Sequence, residues 1–244
     1  AHFSRIALPI TDYVTDLRSV LDQSIRILQA MIDYTSSTDH AWLKCTLKLI
    51  NLIQMVTQGR WLNDSTLSNL PHITERSVMN FWNNGIQTLP ELMVYPFEKT
   101  RSLLKQDDEL NDDEIDDILK CLKYEYPRID VQLTLSSFDI GLDSDLLLLC
   151  RLRRYSGNPN KIYSPKWYKP KLEGWIIVIA LHGSDKLLAV KRVRVSRQWK
   201  TNKIKIRTPL TVEQIPDYDE QDKTLLFDVY ILSDAYLGLD QFYS

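Results

Sequence analysis

Asp16-Leu-Arg-Ser-Val-Leu-Asp-Gln-Ser-Ile-Arg-Ile-Leu-Gln-Ala-Met-Ile-Asp-Tyr34 decides how the first half of this 244-residue chain is read. Leu17, Leu21, Leu28 and Ile32 recur at helical spacing and line one stripe of a helix. Val20, Ile27 and Met31 broaden that stripe. Outward from this segment, the polar turn Thr35-Ser-Ser-Thr38 separates it from a second helical pattern, from about Asp39 to Gly59. Leu43, Leu47, Ile50, Ile53 and Val56 carry that pattern, and Gly59 is its stop signal. Two such helices joined by a short turn predict an antiparallel pair.

Beyond Ile73 the helical segments shorten. One spans Thr74 to Trp82 and is broken by Gly85; another starts at Pro90–Met93; a third runs from about Pro96 to Lys105. Asn111-Asp-Asp-Glu114 opens a fourth, with Asn111 and Glu114 spaced as a capping box. Asp112, Asp113 and Glu114 suit the positive end of the helix dipole, Lys120 and Lys123 the negative end. Pro127 terminates it.

From about residue 129 the period changes to two. Strands are predicted near Val131–Ser137, Asp145–Arg154, Gly174–His182, Leu187–Val195, Asn202–Arg207 and Leu225–Ser233. Helices followed by strands predict an α+β multidomain chain. We divide it into a helical-bundle part at 1–70, a helix-hairpin domain at 71–127 and an all-β fibronectin/immunoglobulin-like sandwich at 128–244. No cysteine pair sits where antibody domains carry a disulfide, so the fibronectin version is the closer.

Composition sets outer limits. The formal net charge is −2, so bulk charge names no partner. No run of eighteen apolar residues is present to span a membrane. The chain opens Ala1-His-Phe-Ser-Arg5 without a methionine and is read as an excised segment. Cys45, Cys121 and Cys150 stand far apart, which predicts reduced, partly buried thiols in an intracellular protein.

Catalytic signatures are missing. No Gly-rich loop ends in Lys-Ser or Lys-Thr, and none of the seven glycines forms a dinucleotide fingerprint. His2, His40, His72 and His182 are isolated, so no metal site is assigned. The acidic run Asp107–Asp117 is read as a solvated helix start. The segment is therefore expected to be no enzyme by itself.

Three stretches have binding chemistry. Gln23 and Arg26 share a helix face, near Ser19, Gln29 and Ala30; arginine grips phosphate in a fork and glutamine bonds bases or backbone. The competing reading is an ordinary exposed face with Asp22 and Arg26 paired. Charge is also segregated: residues 151–207 hold sixteen Lys or Arg against two acids, and 208–244 hold eight acids against one Lys. Lys203, Lys205 and Arg207 form a basic row on one strand face, and Lys191, Arg192, Arg194 and Arg197 add another. The competing reading is that these strands pair with the acidic tail or a second subunit. Finally, the loop Lys161-Ile-Tyr-Ser-Pro-Lys-Trp-Tyr-Lys-Pro-Lys171 interleaves basic and aromatic groups, as single-strand binders do, or docks Trp167 on its own sandwich.

Val20-Leu-Asp-Gln-Ser-Ile-Arg-Ile-Leu-Gln-Ala-Met31 resembles the ratchet helix of the Sec-sixty-three homology unit, which follows the motor of Ski-type RNA helicases. Leu52-Ile-Gln-Met-Val-Thr-Gln-Gly-Arg-Trp61 with Asp64-Ser65 and Leu70-Pro71 is similar to the next helix and its exit. Pro170-Lys-Leu-Glu-Gly-Trp175 looks like the approach to a central strand, and Ser233-Asp-Ala-Tyr-Leu-Gly-Leu-Asp-Gln241 like the closing strand. The resemblance spans almost the whole chain in order. Arg5, Leu8-Pro9, Asp12-Tyr13 and Thr15-Asp16 bring it nearer the signal-cointegrator-complex branch and its yeast ribosome-quality-control counterpart than the spliceosomal U-five branch.

What the resemblance implies is an accessory and protein-docking module of an ATP-dependent RNA helicase. Gln23 and Arg26 would face RNA. ATP and magnesium would sit in the parent's motor, with none in this segment. Partners would be the RecA-like motor domains, other quality-control subunits, RNA and the ribosome, with no membrane. The location would be cytoplasmic, or nuclear for the spliceosomal branch. One departure is the acidic loop Gln106–Asn111, which lacks the family's Gly-x-Gly turn and implies a structural or protein-binding role there.

Overall fold

The computed structural model describes residues 2–3, 6–140, 143–155, 161–206 and 226–244. The chain opens with helices α1 (Thr11–Thr35) and α2 (Leu43–Gln58), which pack as an antiparallel pair. Leu21, Ile25, Leu28 and Ile32 are the buried face of α1. Val20, Ile27 and Met31 do not broaden that face; they lie 59%, 57% and 45% exposed on another side of the helix. The stripe is narrow because a helix seated on one surface buries only about a third of its circumference.

α2 begins four residues later than the periodicity suggests. Ala41 has a left-handed φ of 51°, and Trp42 bridges to Lys186. Leu43 N donates to the Asp185 carbonyl, and Leu187 N donates to the Ala41 carbonyl. Tertiary hydrogen bonds thus hold Trp42 extended and delay the first helical turn to Leu43. Gly59, at φ 58°, closes the helix as its sequence position implies.

Four shorter helices follow: α3 (Glu75–Asn83), α4 (Leu89–Val94), α5 (Phe97–Leu104) and α6 (Asp112–Tyr124). Three of them start with capping boxes, at Thr74/Ser77, Thr88/Glu91 and Asn111/Glu114. At the last, Glu114 N donates to Asn111 Oδ1 at 2.9 Å, and Asn111 N donates to Glu114 Oε2 at 2.9 Å. The acidic run is not wholly solvated. Asp107 is 1% exposed and accepts from the Thr74 hydroxyl at 2.7 Å and from the Ser77 hydroxyl. It therefore pins the α5–α6 loop to the start of α3. Burial works to raise its pKa, but bonds from Ser77, Thr74 and the Glu109 N–H outweigh burial and hold it below the ordinary value.

Two antiparallel sheets complete the chain. One has the order β1 (Ile129–Ile140), β2 (Asp143–Arg154), β5 (Lys200–Ile206). The other has β4 (Leu187–Val193), β3 (Trp175–Leu181), β6 (Phe227–Ser233), β7 (Gln241–Tyr243). β7 has three residues, too few for alternation to reveal it. Leu148, Cys150, Leu152, Ile204 and Ile206 of the first sheet share a core with Trp175, Ile177, Ile179, Leu181, Val229 and Ile231 of the second. The same core runs into α3–α6 through Phe81, Leu104 and Ile118.

All seven residues of β3 are buried. Its other face, Ile176, Val178 and Ala180, meets Leu21, Ile25, Leu28, Ile32, Ile50 and Ile53 of the helix pair. Trp175-Ile-Ile-Val-Ile-Ala-Leu181 is therefore apolar at every position because it is covered on both sides. Each aliphatic side chain so buried contributes about 1.5–3 kcal/mol. α1 is thereby clamped along one side and open along the other.

Candidate nucleic-acid interface

On the open side of α1, Gln23 and Arg26 are both exposed. Asp22 does not pair with Arg26. Its carboxylate is taken by Lys169 at 2.5 Å, and among the described residues no salt bridge joins it to Arg26. Hydrogen bonds from Lys169, then Tyr168, hold Asp22 below the ordinary carboxylate range. Lys169 belongs to the loop that crosses the helix pair, so one flank of α1 is tied down. Arg192 ties the same flank two to three turns further along, donating to the Gln29 carbonyl at 3.2 Å and pairing with Asp33 at 3.1 Å. Gln23 and Arg26 lie on the arc left over.

The predicted basic surface divides into parts with different work. Arg192 docks β4 onto α1. Lys191 sends its ammonium across the open sandwich edge to the Lys203 carbonyl at 2.8 Å. Arg194 is exposed beside a cleft lined by Gln29, Ile53, Trp175 and Asp234. Lys203 and Lys205 point outward from β5, alternating with buried Asn202, Ile204 and Ile206. Arg207 lies outside the described residues.

Trp167 is a correction: it is 8% exposed and packs in the core between helix pair and sheet. The loop around it is held to α2 by Ser164 Oγ, which donates to the Thr57 carbonyl at 2.6 Å, and by Lys166 Nζ on the Gly59 carbonyl. Gln58 Nε2 adds a bond to the Tyr163 carbonyl at 3.3 Å. Open helix C-terminal carbonyls attract such donors, so the basic-aromatic loop is consumed internally.

The outward face of β1-β2-β5 brings together residues that sequence reasoning passed over. The Arg151 and Arg153 guanidinium carbons lie 5.4 and 4.8 Å from the Trp199 ring centroid. Arg128 and Arg153 lie 5.5 and 5.9 Å from the Tyr155 centroid. Arg153 also grips Asp130 at 2.5 Å, its direct partner across the β1–β2 ladder. The readable signal was the alternation Arg151-x-Arg153-x-Tyr155, which puts all three on one face.

Thiol chemistry has no foothold in the core. Burial pushes the Cys121 and Cys150 thiols up to about 12, far from the thiolate form at neutral pH. Cys45 is exposed on α2. No described helix is long and apolar enough to cross a membrane.

Curated relatives place this arrangement. The chain is 35% identical over 249 residues to the DExH-box ATP-dependent RNA helicase DExH14 of Arabidopsis thaliana, covering all of this chain and 10% of that protein. It is 30% identical over 290 residues to Activating signal cointegrator 1 complex subunit 3 of Gallus gallus, covering 100% and 12%. It is 29% identical over 244 residues to the U5 small nuclear ribonucleoprotein 200 kDa helicase of Homo sapiens, covering 100% and 10%. The chain thus spans about a tenth of the length of these relatives. Among family models, the Sec63 Brl domain matches residues 1–244, and the chain belongs to that family.

Proposed function

We propose that this chain is the accessory module of an ATP-dependent RNA helicase, serving the rescue and splitting of stalled, collided ribosomes. The observation that carries the reading is the state of α1. One side is clamped onto the sheet and one flank is tied at both Asp22 and Asp33, while Gln23 and Arg26 remain exposed on the free arc. A strut held this firmly can support an RNA strand, because its polar groups keep their spacing when load is applied. The motor, with its ATP and magnesium, belongs to the parent chain. The module contributes contacts to RNA and docks the RecA-like domains and other quality-control subunits, in the cytoplasm.

In this reading residues 1–70 complete a helical bundle, 71–127 form a helix-hairpin domain and 128–244 a fibronectin-like sandwich. The strand order β1-β2-β5 against β4-β3-β6-β7 supports the last assignment. A second reading is a protein-interaction module of a spliceosomal, nuclear helicase without RNA contact. It is favoured by the comparable identity to the U5 200 kDa helicase.

The test is Gln23→Ala with Arg26→Ala in the full parent helicase. RNA-stimulated ATP hydrolysis is expected to fall about tenfold, equivalent to about 1.4 kcal/mol of lost RNA interaction. Unchanged stimulation would overturn the RNA role and leave the docking reading.

A further inference from the structure

We propose that the cleft between α4 and the segment leading into β7 is a docking site for an arginine side chain of a partner protein, with Asp240 as its counter-charge. The cleft encloses about 260 Å³, below the usual size of a small-molecule site and suited to one long side chain. Pro90, Met93 and Val94 of α4, with Pro127 and Leu239, form its apolar walls. Val94 is 63% exposed, so the rim on the α4 side is open to a partner.

Asp240 lines the same cleft. Its carboxylate accepts from Ser233 N at 2.8 Å and from Gln54 Nε2 at 3.0 Å, and both donors are uncharged. Among the described residues no salt bridge reaches it. The other charged groups lining the cleft are engaged elsewhere: Arg128 lies 5.5 Å from the Tyr155 ring centroid, and Asp130 is held by Arg153 at 2.5 Å. A carboxylate taken out of water without a counter-ion is costly, and a nearby cation offsets that cost. Burial pushes this carboxyl up to about 6, against bonds from Gln54 and Ser233, as expected of a charge without compensation.

A guanidinium entering the cleft supplies the missing charge while its methylene stem lies along the apolar walls. Arginine suits the site better than lysine because its guanidinium is more weakly hydrated and loses less on leaving water. A metal ion is a poor occupant, since the cleft offers two carboxylates and Arg153 already holds one. A phosphate backbone would meet both carboxylates and be repelled. The proposal gives the docking half of the reading above a partner chemistry; the location of the site rests on the cleft and not on RNA binding by α1.

The experiment is a nuclear magnetic resonance titration of the 244-residue chain, labelled with nitrogen-15, following the Ser233 amide that bonds Asp240. The probes are a Leu-Arg-Leu tripeptide blocked at both ends and the same peptide with citrulline, an uncharged isostere, in place of arginine. The arginine peptide is expected to bind at least tenfold more tightly than the citrulline peptide. Its binding should tighten about tenfold between about pH 5 and about pH 7, as the Asp240 carboxyl ionises through about 6. The guanidinium keeps its charge across that range. Asp240→Asn is expected to remove both the preference and the pH dependence. Val94→Lys, which sets a like charge on the exposed rim, is expected to weaken binding at least tenfold. Thermal melts check that both variants keep the fold, and Val94→Lys decides the matter if Asp240→Asn does not fold.

Equal binding of the citrulline peptide would overturn the proposal, as would binding that ignores both substitutions. Absence of binding at millimolar peptide would overturn it too. Tighter binding of a blocked Leu-Glu-Leu peptide would assign the cleft to Arg128 and an acidic partner, and overturn it. Gln23→Ala with Arg26→Ala is expected to leave peptide binding unchanged, so failure of this site and failure of the RNA role of α1 are read separately.

Discussion

Asp240 shows how a single carboxylate can join a helix to the end of the chain. It accepts from Ser233 N at 2.8 Å and from Gln54 Nε2 of α2 at 3.0 Å. Gln54 also donates to the Ser233 carbonyl at 2.8 Å, and Gln58 to the Ala235 carbonyl at 2.9 Å. Ser233 Oγ accepts from Ala235 N and Tyr236 N, folding the chain back on itself. Gly238, at φ 80°, passes so close to Thr66 that a Cβ would collide with it. The motif Ser233–Gln241 is thus a latch between α2 and the sandwich. Burial pushes the Asp240 carboxyl up to about 6, against bonds from Gln54 and Ser233 that oppose the rise. The folded chain therefore binds this proton more tightly than the unfolded chain does. The contribution of Asp240 to stability rises as pH falls from about 6 towards about 4, and its charged form weakens the fold at neutral pH. Asp240→Asn is expected to remove that part of the pH dependence. Thermal midpoints of both proteins across this range check it, and parallel curves would refute it.

At the scale of elements, α1 carries two apolar faces with different fates. Ile32 is fully buried against the sheet, while Ile27, at helical spacing from Val20 and Met31, faces outward. Ile32→Ala is expected to cost about 3 kcal/mol, as large-to-small changes in a packed core do. Ile27→Ala should stay within about 0.5 kcal/mol, as changes at exposed sites do. Urea unfolding of the pair measures both; similar losses would mean that the outward face is packed after all. Helix existence, the capping box at Asn111 and the stop at Gly59 were legible because their causes lie within a few residues. The start of α2 was not, because bonds from residues 185 and 187 set it.

At the scale of the molecule, β3 is the shared wall of two cores. Among the described residues, Leu21, Ile25 and Leu28 share their core with α2, Trp167, β3 and the neighbours of β3. The chain is accordingly expected to unfold in one cooperative transition, with amides of α1, α2 and β3 exchanging at a common free energy. Hydrogen exchange by mass spectrometry tests this. Earlier release of the helix pair would show that the clamp on α1 is weak, and with it the strut in the functional reading. The candidate sites were only partly legible. Gln23, Arg26, Lys203 and Lys205 are exposed as their periodicity implies, whereas Trp167 is buried and Arg192 is spent on α1. An aromatic in a basic loop reads the same whether its ring meets solvent or a helix.

The sequence alone determined that helices precede strands, where most of them run, and which residues could carry charge to a surface. Those properties follow from period, turn chemistry and capping, all acting over short distances. Only the tertiary structure decided which charges remain exposed and which rings stay open. Trp167 lost its surface to a helix more than a hundred residues upstream, and Arg151, Arg153 and Trp199 gained theirs when two strands paired. Exposure is set by what packs across the chain, and residues brought together by packing bear no fixed spacing in sequence.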